Sequence, residues 1–428
     1  MGSITSRNPA TNKPLTTYSL LSNDEVHSTI DFSHTTYLSY RRTSFAERSD
    51  MLKKVSVILL SNKDKYALAM TQEMGKTFSS SISEVEKCAW VCQYYADNGA
   101  ELLADEKIET EATKSYVSYQ PLGVILAVMP WNYPFWQVFR FAAPTLMAGN
   151  VCLLKHASNV PQCALYIQEI FEEAGFPVGC FNSLLISSDQ IPKVLEHEYV
   201  QAATLTGSKP AGAAVASAAA GLIKHTVLEL GGSDPYIVLE DADIQLAVEA
   251  CVTSRLLNVG QSCIGAKRFI VVDDVYESFL QKFTDKMKSA TLGDPMSDVD
   301  LGPMARHDLR DEVHEQVEAS IAAGAQLELG GKIPDMEGAF YPPTILTHVK
   351  RGMPAYDDEI FGPVASVIRV PNEQEAIRVA NDTSFGLGAA VFTRNNNRGE
   401  RIAKEELEAG CCFVNDFVKS DPRLPFGG

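Results

Sequence analysis

Apolar residues in the first hundred positions recur at helical rather than alternating spacing. Val85, Cys88, Ala89, Cys92 and Ala96 share one face of a run over 81–100, and a second run over 46–60 keeps the same period. Ahead of both, Asn23-Asp24-Glu25 supplies a cap and early acids for another helix. The period then changes. Residues 115–119 alternate as a strand, Pro121-Leu122-Gly123 turns, and 124–129 is a wholly apolar strand, so the pattern predicts a hairpin or ribbon. Short apolar runs then alternate with helical ones: strands at 151–154, 181–186, 202–205 and 226–230, helices over 160–174 and 210–220.

After Gly231-Gly232 the alternation starts again. Helices are predicted over 242–257 and 275–290 and strands over 268–272 and 365–369, with a further βα-type unit entered at 321–329. Repeated strand–helix alternation implies an α/β fold of two doubly wound, Rossmann-type parallel lobes that bind ligands at strand C-termini. The boundary falls near Gly231, where the double Gly reads as a flexible hinge.

Composition narrows the function. The chain has 428 residues, 45% hydrophobic, with 37 basic and 54 acidic side chains and a net charge of −17. That length suits two or three domains with large cores. The acidic balance excludes nucleic acid as the main partner and argues against an anionic membrane surface. No run reaches the ~20 apolar residues of a membrane span, and the N-terminus lacks a secretory pattern. Gly2 with Ser6 matches the loose myristoylation pattern, although an exposed start to a strand is the plainer reading. Nine cysteines, an odd number in a long chain, argue against a disulfide framework, and none has zinc-ligand spacing. A reducing compartment, the cytoplasm, fits best.

Three places carry candidate chemistry. Thr206-Gly207-Ser208 through Gly212 reads as strand, Gly-rich turn and helix, whose N-terminal amides would face a pyrophosphate; it lacks the endings of a P-loop or a full GxGxxG. Cys263 lies between Asn258-Val259-Gly260-Gln261-Ser262 and Ile264-Gly265-Ala266-Lys267-Arg268. Turn-forming residues on both sides suggest an exposed elbow, and thiolates near cations attack carbonyls. Glu229 ends an apolar strand read as buried, where a carboxylate is costly unless it has a task; pairing with a Lys is the bland alternative.

Together, Pro130-Trp131-Asn132-Tyr133-Pro134, Leu154-Lys155, Thr206-Gly207-Ser208, Glu229-Leu230-Gly231-Gly232, Gly260-Gln261-Ser262-Cys263, Glu359-Ile360-Phe361-Gly362-Pro363 and Pro425-Phe426-Gly427-Gly428 resemble the aldehyde dehydrogenase superfamily in order and spacing. Within it the chain looks most like bacterial and cyanobacterial succinate-semialdehyde dehydrogenases, through 154–159 and 419–428. The resemblance implies a dinucleotide-binding domain from 1–114 and 130–230, an oligomerisation ribbon at 115–129, a catalytic domain at 231–411 and a C-terminal segment at 412–428. It implies Cys263 as nucleophile, Asn132 as oxyanion donor and Glu229 as general base. Lys155 and Ser158 would meet the adenosine ribose, Trp131, Gly207 and Ser208 the pyrophosphate, and Leu230, Glu359 and Phe361 the nicotinamide side. Many NAD-preferring members carry Glu where this chain has Ser158. Its absence removes a repulsion toward a 2′-phosphate, which favours NADP over NAD.

The substrate reading starts from a helix over 134–146; if it begins early, Asn132, Trp136 and Arg140 lie near one face at about 100° per residue. An Arg among Phe139, Phe141, Ala142 and Ala143 calls for an anionic partner, intramolecular or a ligand. By resemblance it grips the distal carboxylate of succinate semialdehyde, helped by Gln137 and Ser420. Some relatives hold a second Arg six residues before the nucleophile, where this chain has Leu257, and Arg255 is two residues further off. That opens glutarate semialdehyde, or a broader aldehyde range, as alternatives. A Cys two residues after the nucleophile in some relatives is Gly265 here, which leaves no redox switch of that type. The resemblance also implies 4-aminobutyrate (GABA) degradation and a homodimer or homotetramer. Family members continue past Pro-Phe-Gly-Gly with a strand that pairs between subunits, so a chain ending at Gly428 is expected to be a fragment or a weakened, assembly-defective oligomer.

Overall fold

The apolar face read over 81–100 belongs to the helix Phe78–Leu102 of a computed structural model that describes residues 2–428, and all five of its residues are buried. The helices Asn23–Tyr40 and Phe45–Ser61 each open with a reciprocal capping box, Ser22 with Glu25 and Ser44 with Glu47. Sequence reading overlooked the helix Lys63–Met74. No helix among the described residues is long and apolar enough to cross a membrane.

The chain divides into two units. The first holds Pro14–Glu73 and Phe78–Glu229 with the N-terminal residues through Arg7; the second holds Asn8–Lys13, Met74–Thr77 and Leu230–Gly428. In the first, five parallel strands lie in the order Phe181–Ser183, Val151–His156, Val124–Met129, Val200–Thr206, His225–Glu229. Chain order reverses on either side of Val124–Met129, which makes the C-terminal ends of that strand and its neighbours the ligand-binding edge of such a sheet.

This arrangement corrects the predicted ribbon at 115–129. Val124–Met129 is the central strand of the sheet, because a wholly apolar run is stable where both faces are covered. Ser115–Val117 pairs antiparallel with Glu106–Ile108 instead, and both strands are largely exposed. The strand ending at Glu229 is also corrected: it is a sheet edge with Val227 61% exposed, not a buried strand.

The second unit has seven strands in the order Gln326–Leu329, Thr344–Thr347, Val364–Val370, Arg268–Val272, Pro235–Val238, Gly388–Phe392, Cys411–Val414. All pairings are parallel except that of the edge strand Gln326–Leu329. Cys411–Val414 is the opposite edge, so a boundary between 411 and 412 would cut a strand in two. Alternate residues of the central strands feed separate cores on the two faces: Ile237 and Ile270 on one, Tyr236 and Phe269 on the other.

Candidate active site

In the first unit, the turn Pro130–Phe135 leaves the C-terminal end of the central strand and leads into the helix Trp136–Met147. Two buried side chains from neighbouring elements hold it. Glu84 takes the N–H groups of Phe135 and Trp136, each at 2.9 Å, and so caps the helix with a carboxylate. His156 accepts the Ala157 N–H on Nδ1 at 2.9 Å, so its Nε2–H donates to the Pro134 carbonyl at 2.9 Å. Burial pushes this imidazole down to about 4, which keeps it neutral. Neither residue stood out in the sequence, because each acts through main-chain atoms of a distant segment.

Asn132 is buried in this turn, four residues ahead of the helix. The expected common face therefore applies to Trp136 and Arg140 alone. Arg140 is half-buried and donates to Gln137 Oε1 at 2.8 Å from one helical turn away, while Phe139, Ala142 and Ala143 are fully buried. Glu229, half-buried, is held above the usual carboxylate range by desolvation, and the charge of Arg140 opposes that rise.

The candidate cofactor residues gather at the ends of adjacent strands. Lys155 near the end of Val151–His156 is 7% exposed, with no carboxylate in ion-pair distance among the described residues, and desolvation lowers its pKa. Ser158 is exposed in the turn that follows. Ser208 caps the helix Lys209–Gly221 through the Ala211 N–H, and the Gly207 N–H is spent on the Glu229 carbonyl at 2.9 Å. Trp131 is half-buried after the central strand. A buried ammonium without a carboxylate, an exposed hydroxyl in the following turn and a helix N-terminus two strands away fit a dinucleotide carrying a ribose phosphate.

In the second unit, Cys263 is half-buried on a loop outside any strand or long helix. The turn before it carries three successive left-handed residues, Asn258, Val259 and Gly260, with φ of 55°, 58° and 72°. A β-branched Val there is strained, and the strain persists because the loop is held from below. Arg255, fully buried, donates to the Ala266 carbonyl at 2.7 Å and the Gly260 carbonyl at 2.5 Å. Desolvation pushes it down to about 10. It thus serves the loop as a brace, and its guanidinium is committed to main-chain carbonyls.

Lys267 holds the same loop. Its Nζ donates to the carbonyls of Ser262 and Cys263 at 2.9 Å and of Gly265 at 3.1 Å, and lies 3.4 Å from Glu359 Oε1. Glu359 also accepts the Gly232 N–H at 3.0 Å. Phe361 is half-buried, its ring 6.0 Å from the Lys267 ammonium, and Leu230 is half-buried beside the double Gly. The two glycines are needed for close approach. Neither has a positive φ, but a Cβ on Gly231 would sit 2.2 Å from Glu359 Oε2 and one on Gly232 2.6 Å from the Cys263 carbonyl. Ser420 is buried on a segment tied down where the Val418 N–H meets the Tyr236 hydroxyl at 2.7 Å.

Each unit thus collects the residues singled out in its own part of the sequence: Asn132, Arg140, Gln137, Glu229, Lys155, Ser158 and Ser208 in the first, and Cys263, Glu359, Phe361 and Ser420 in the second. The profile of the Aldehyde dehydrogenase family matches residues 2–428. A probable NADP(+) succinate-semialdehyde dehydrogenase of Synechocystis is 53% identical over 426 residues, 99% of this chain and 94% of that protein. The NADP(+) succinate-semialdehyde dehydrogenase 1 of Mycobacterium tuberculosis is 49% identical over 99% of this chain and 94% of its own. The crystal structure of succinic semialdehyde dehydrogenase from Streptococcus pyogenes, in complex with NADP+, superposes with a TM-score of 0.97 at 38% identity, covering 99% of this chain and 93% of that one.

Proposed function

The chain belongs to the aldehyde dehydrogenase family, and we propose that it oxidises succinate semialdehyde to succinate with reduction of NADP, and less readily of NAD. The observation that carries the substrate is Arg140. It is a half-buried guanidinium rising from an otherwise apolar stretch of helix, and its charge reaches Glu229 of the same unit. A guanidinium in such company suits a carboxylate, which it binds with two parallel N–H donors.

Cys263 attacks the aldehyde carbon as the thiolate and forms a thiohemiacetal. The Asn132 amide and the Cys263 N–H stabilise the developing oxyanion. Bound NADP supplies the acceptor for the hydride. Its departure leaves a thioester on Cys263, which water activated by Glu229 hydrolyses to the acid and the free thiol. The pKa of Glu229 is raised by burial, which makes it a better base near neutral pH than an exposed carboxylate. Lys155 and Ser158 would hold the adenosine ribose and its phosphate, and Ser208 and Trp131 the pyrophosphate, with Gly207 shaping the turn while its N–H stays on the Glu229 carbonyl. Glu359, Phe361 and Leu230 would hold the nicotinamide side. Gln137 steadies Arg140, and Ser420 adds a hydroxyl to the substrate's path. Because Arg255 is committed to the nucleophile loop, Arg140 has to carry the distal carboxylate with only those neutral helpers. This favours some tolerance for the longer glutarate semialdehyde. A cytoplasmic location, a homodimer or homotetramer, and a place in 4-aminobutyrate degradation belong to the same reading.

One assay tests it. Protein, succinate semialdehyde and NADP or NAD are mixed and the reduced nicotinamide absorbance is followed. A faster rise with NADP is expected, and no rise with either cofactor from folded protein overturns the reading. Glutarate semialdehyde and an unbranched alkanal in the same assay give the selectivity.

A further inference from the structure

Beneath the nucleophile loop lies a cluster of buried charges that the steps above do not use. Lys267 is 3% exposed. An ammonium has three N–H donors, and the carbonyls of Ser262, Cys263 and Gly265 take them, with the Glu359 carboxylate at the same nitrogen. The other charged groups that face it are Arg255, Asp234 and the thiol of Cys263, with the Phe361 ring alongside. Asp234 in turn faces Arg268. It is 1% exposed, gives one oxygen to the Gly388 N–H at 3.2 Å and leaves the other without a hydrogen bond. Burial pushes Asp234 up to about 7, so near neutral pH it is only a partial counter-charge and Glu359 is the principal one.

We propose that Lys267 is a positioning residue for the reaction: its ammonium fixes the main chain of Cys263 and the carboxylate of Glu359 in one arrangement and keeps a positive charge beside the thiol. This rests on the reading of Cys263 as nucleophile and Glu359 as a cofactor-side group. The loop needs such a fastener. It runs outside the sheet, follows three left-handed residues and turns three carbonyls toward one point, where without a cation they would repel one another. Glu359 needs it as well, since its other contact is a single N–H from Gly232. Desolvation disfavours the charged lysine and Glu359 opposes that, while three carbonyl acceptors and a carboxylate at one nitrogen suit an ammonium. One side chain therefore links the reacting residue to the group that would orient the hydride acceptor.

The test compares wild type with Lys267→Met, Lys267→Gln and Cys263→Ala in two measurements. One is the pH dependence of Cys263 carbamidomethylation by iodoacetamide without cofactor, followed by peptide mass; the other is kcat and KM for each substrate. Loss of the cation is expected to move the alkylation midpoint upward by about one unit. It should also lower kcat at least tenfold and raise KM for the cofactor, while KM for the semialdehyde stays near wild type. Lys267→Gln keeps two N–H donors for the same carbonyls, which protects the fold if Lys267→Met does not fold, and should show the same upward shift. An unmoved midpoint and an unchanged kcat in folded Lys267→Gln overturn the proposal. Activity retained by Cys263→Ala would instead overturn the reading of the nucleophile, whatever the lysine variants do.

Discussion

Lys155 in the first unit and Lys267 in the second are both buried ammonium groups whose pKa desolvation lowers. Their surroundings differ. Lys267 is satisfied by three carbonyls and a carboxylate of its own unit, whereas no carboxylate comes within ion-pair distance of Lys155 among the described residues. A buried cation is stable when its partners are built in, and strained when they are left for a ligand to supply. On the proposed roles, the same residue type fastens the nucleophile loop in one unit and awaits a ligand's anion in the other. The distinction lies in the neighbours, not in the lysine.

Removing each charge gives opposite results if this is correct. Lys267→Met breaks a buried ion pair and leaves Glu359 and three carbonyls facing an apolar side chain, so it should cost about 3–5 kcal/mol of stability, seen as a clearly lower thermal midpoint. Lys155→Met removes a buried charge that has no built-in partner, so its midpoint should stay put or rise. Its KM for NADP should instead increase about tenfold or more, as expected for a lost charge-assisted contact worth roughly 1.5–3 kcal/mol, with a smaller change for NAD. A fall in midpoint for Lys155→Met equal to that for Lys267→Met would erase the comparison.

The two units were also unequally legible in the sequence. Helical period over 81–100 and the parallel strands after 150 followed from local pattern, because an apolar run between turns has few other ways to be buried. The strand Val124–Met129 was recognised but paired wrongly. Adjacency in the chain suggested a hairpin, whereas a strand that is apolar on both faces belongs inside a sheet, between partners tens of residues away. The candidate nucleophile and base were legible as a thiol between turn formers and a carboxylate at a strand end. Their supports were not. Lys267 was visible four residues after Cys263, but its link to Glu359 spans 92 residues, and Glu84 reaches Phe135 from 51 residues away. Gly231 and Gly232 were read for the motion glycine permits, and the close contacts they also permit, to Glu359 and to the Cys263 carbonyl, were not legible.

The smallest effect concerns the carboxylate that the first unit keeps partly solvated. Burial raises the pKa of Glu229, and the nearby positive charge of Arg140 pulls it back. The base must be ionised to activate water, so thioester hydrolysis rises with pH through this pKa. Arg140→Leu removes the opposing positive charge and leaves burial unopposed, which should raise the Glu229 pKa and move the acidic limb of the pH–rate profile upward by less than about one unit. The profile has to be measured with an unbranched alkanal at saturating concentration, because the loss of carboxylate binding would otherwise dominate through KM. The same variant should raise KM for succinate semialdehyde steeply and for the alkanal little. A limb that moves downward would mean that Arg140 does not influence Glu229 as the first unit's electrostatics require. Equal KM increases for both aldehydes would remove Arg140 from the substrate and leave it as a support of the helix it stands on.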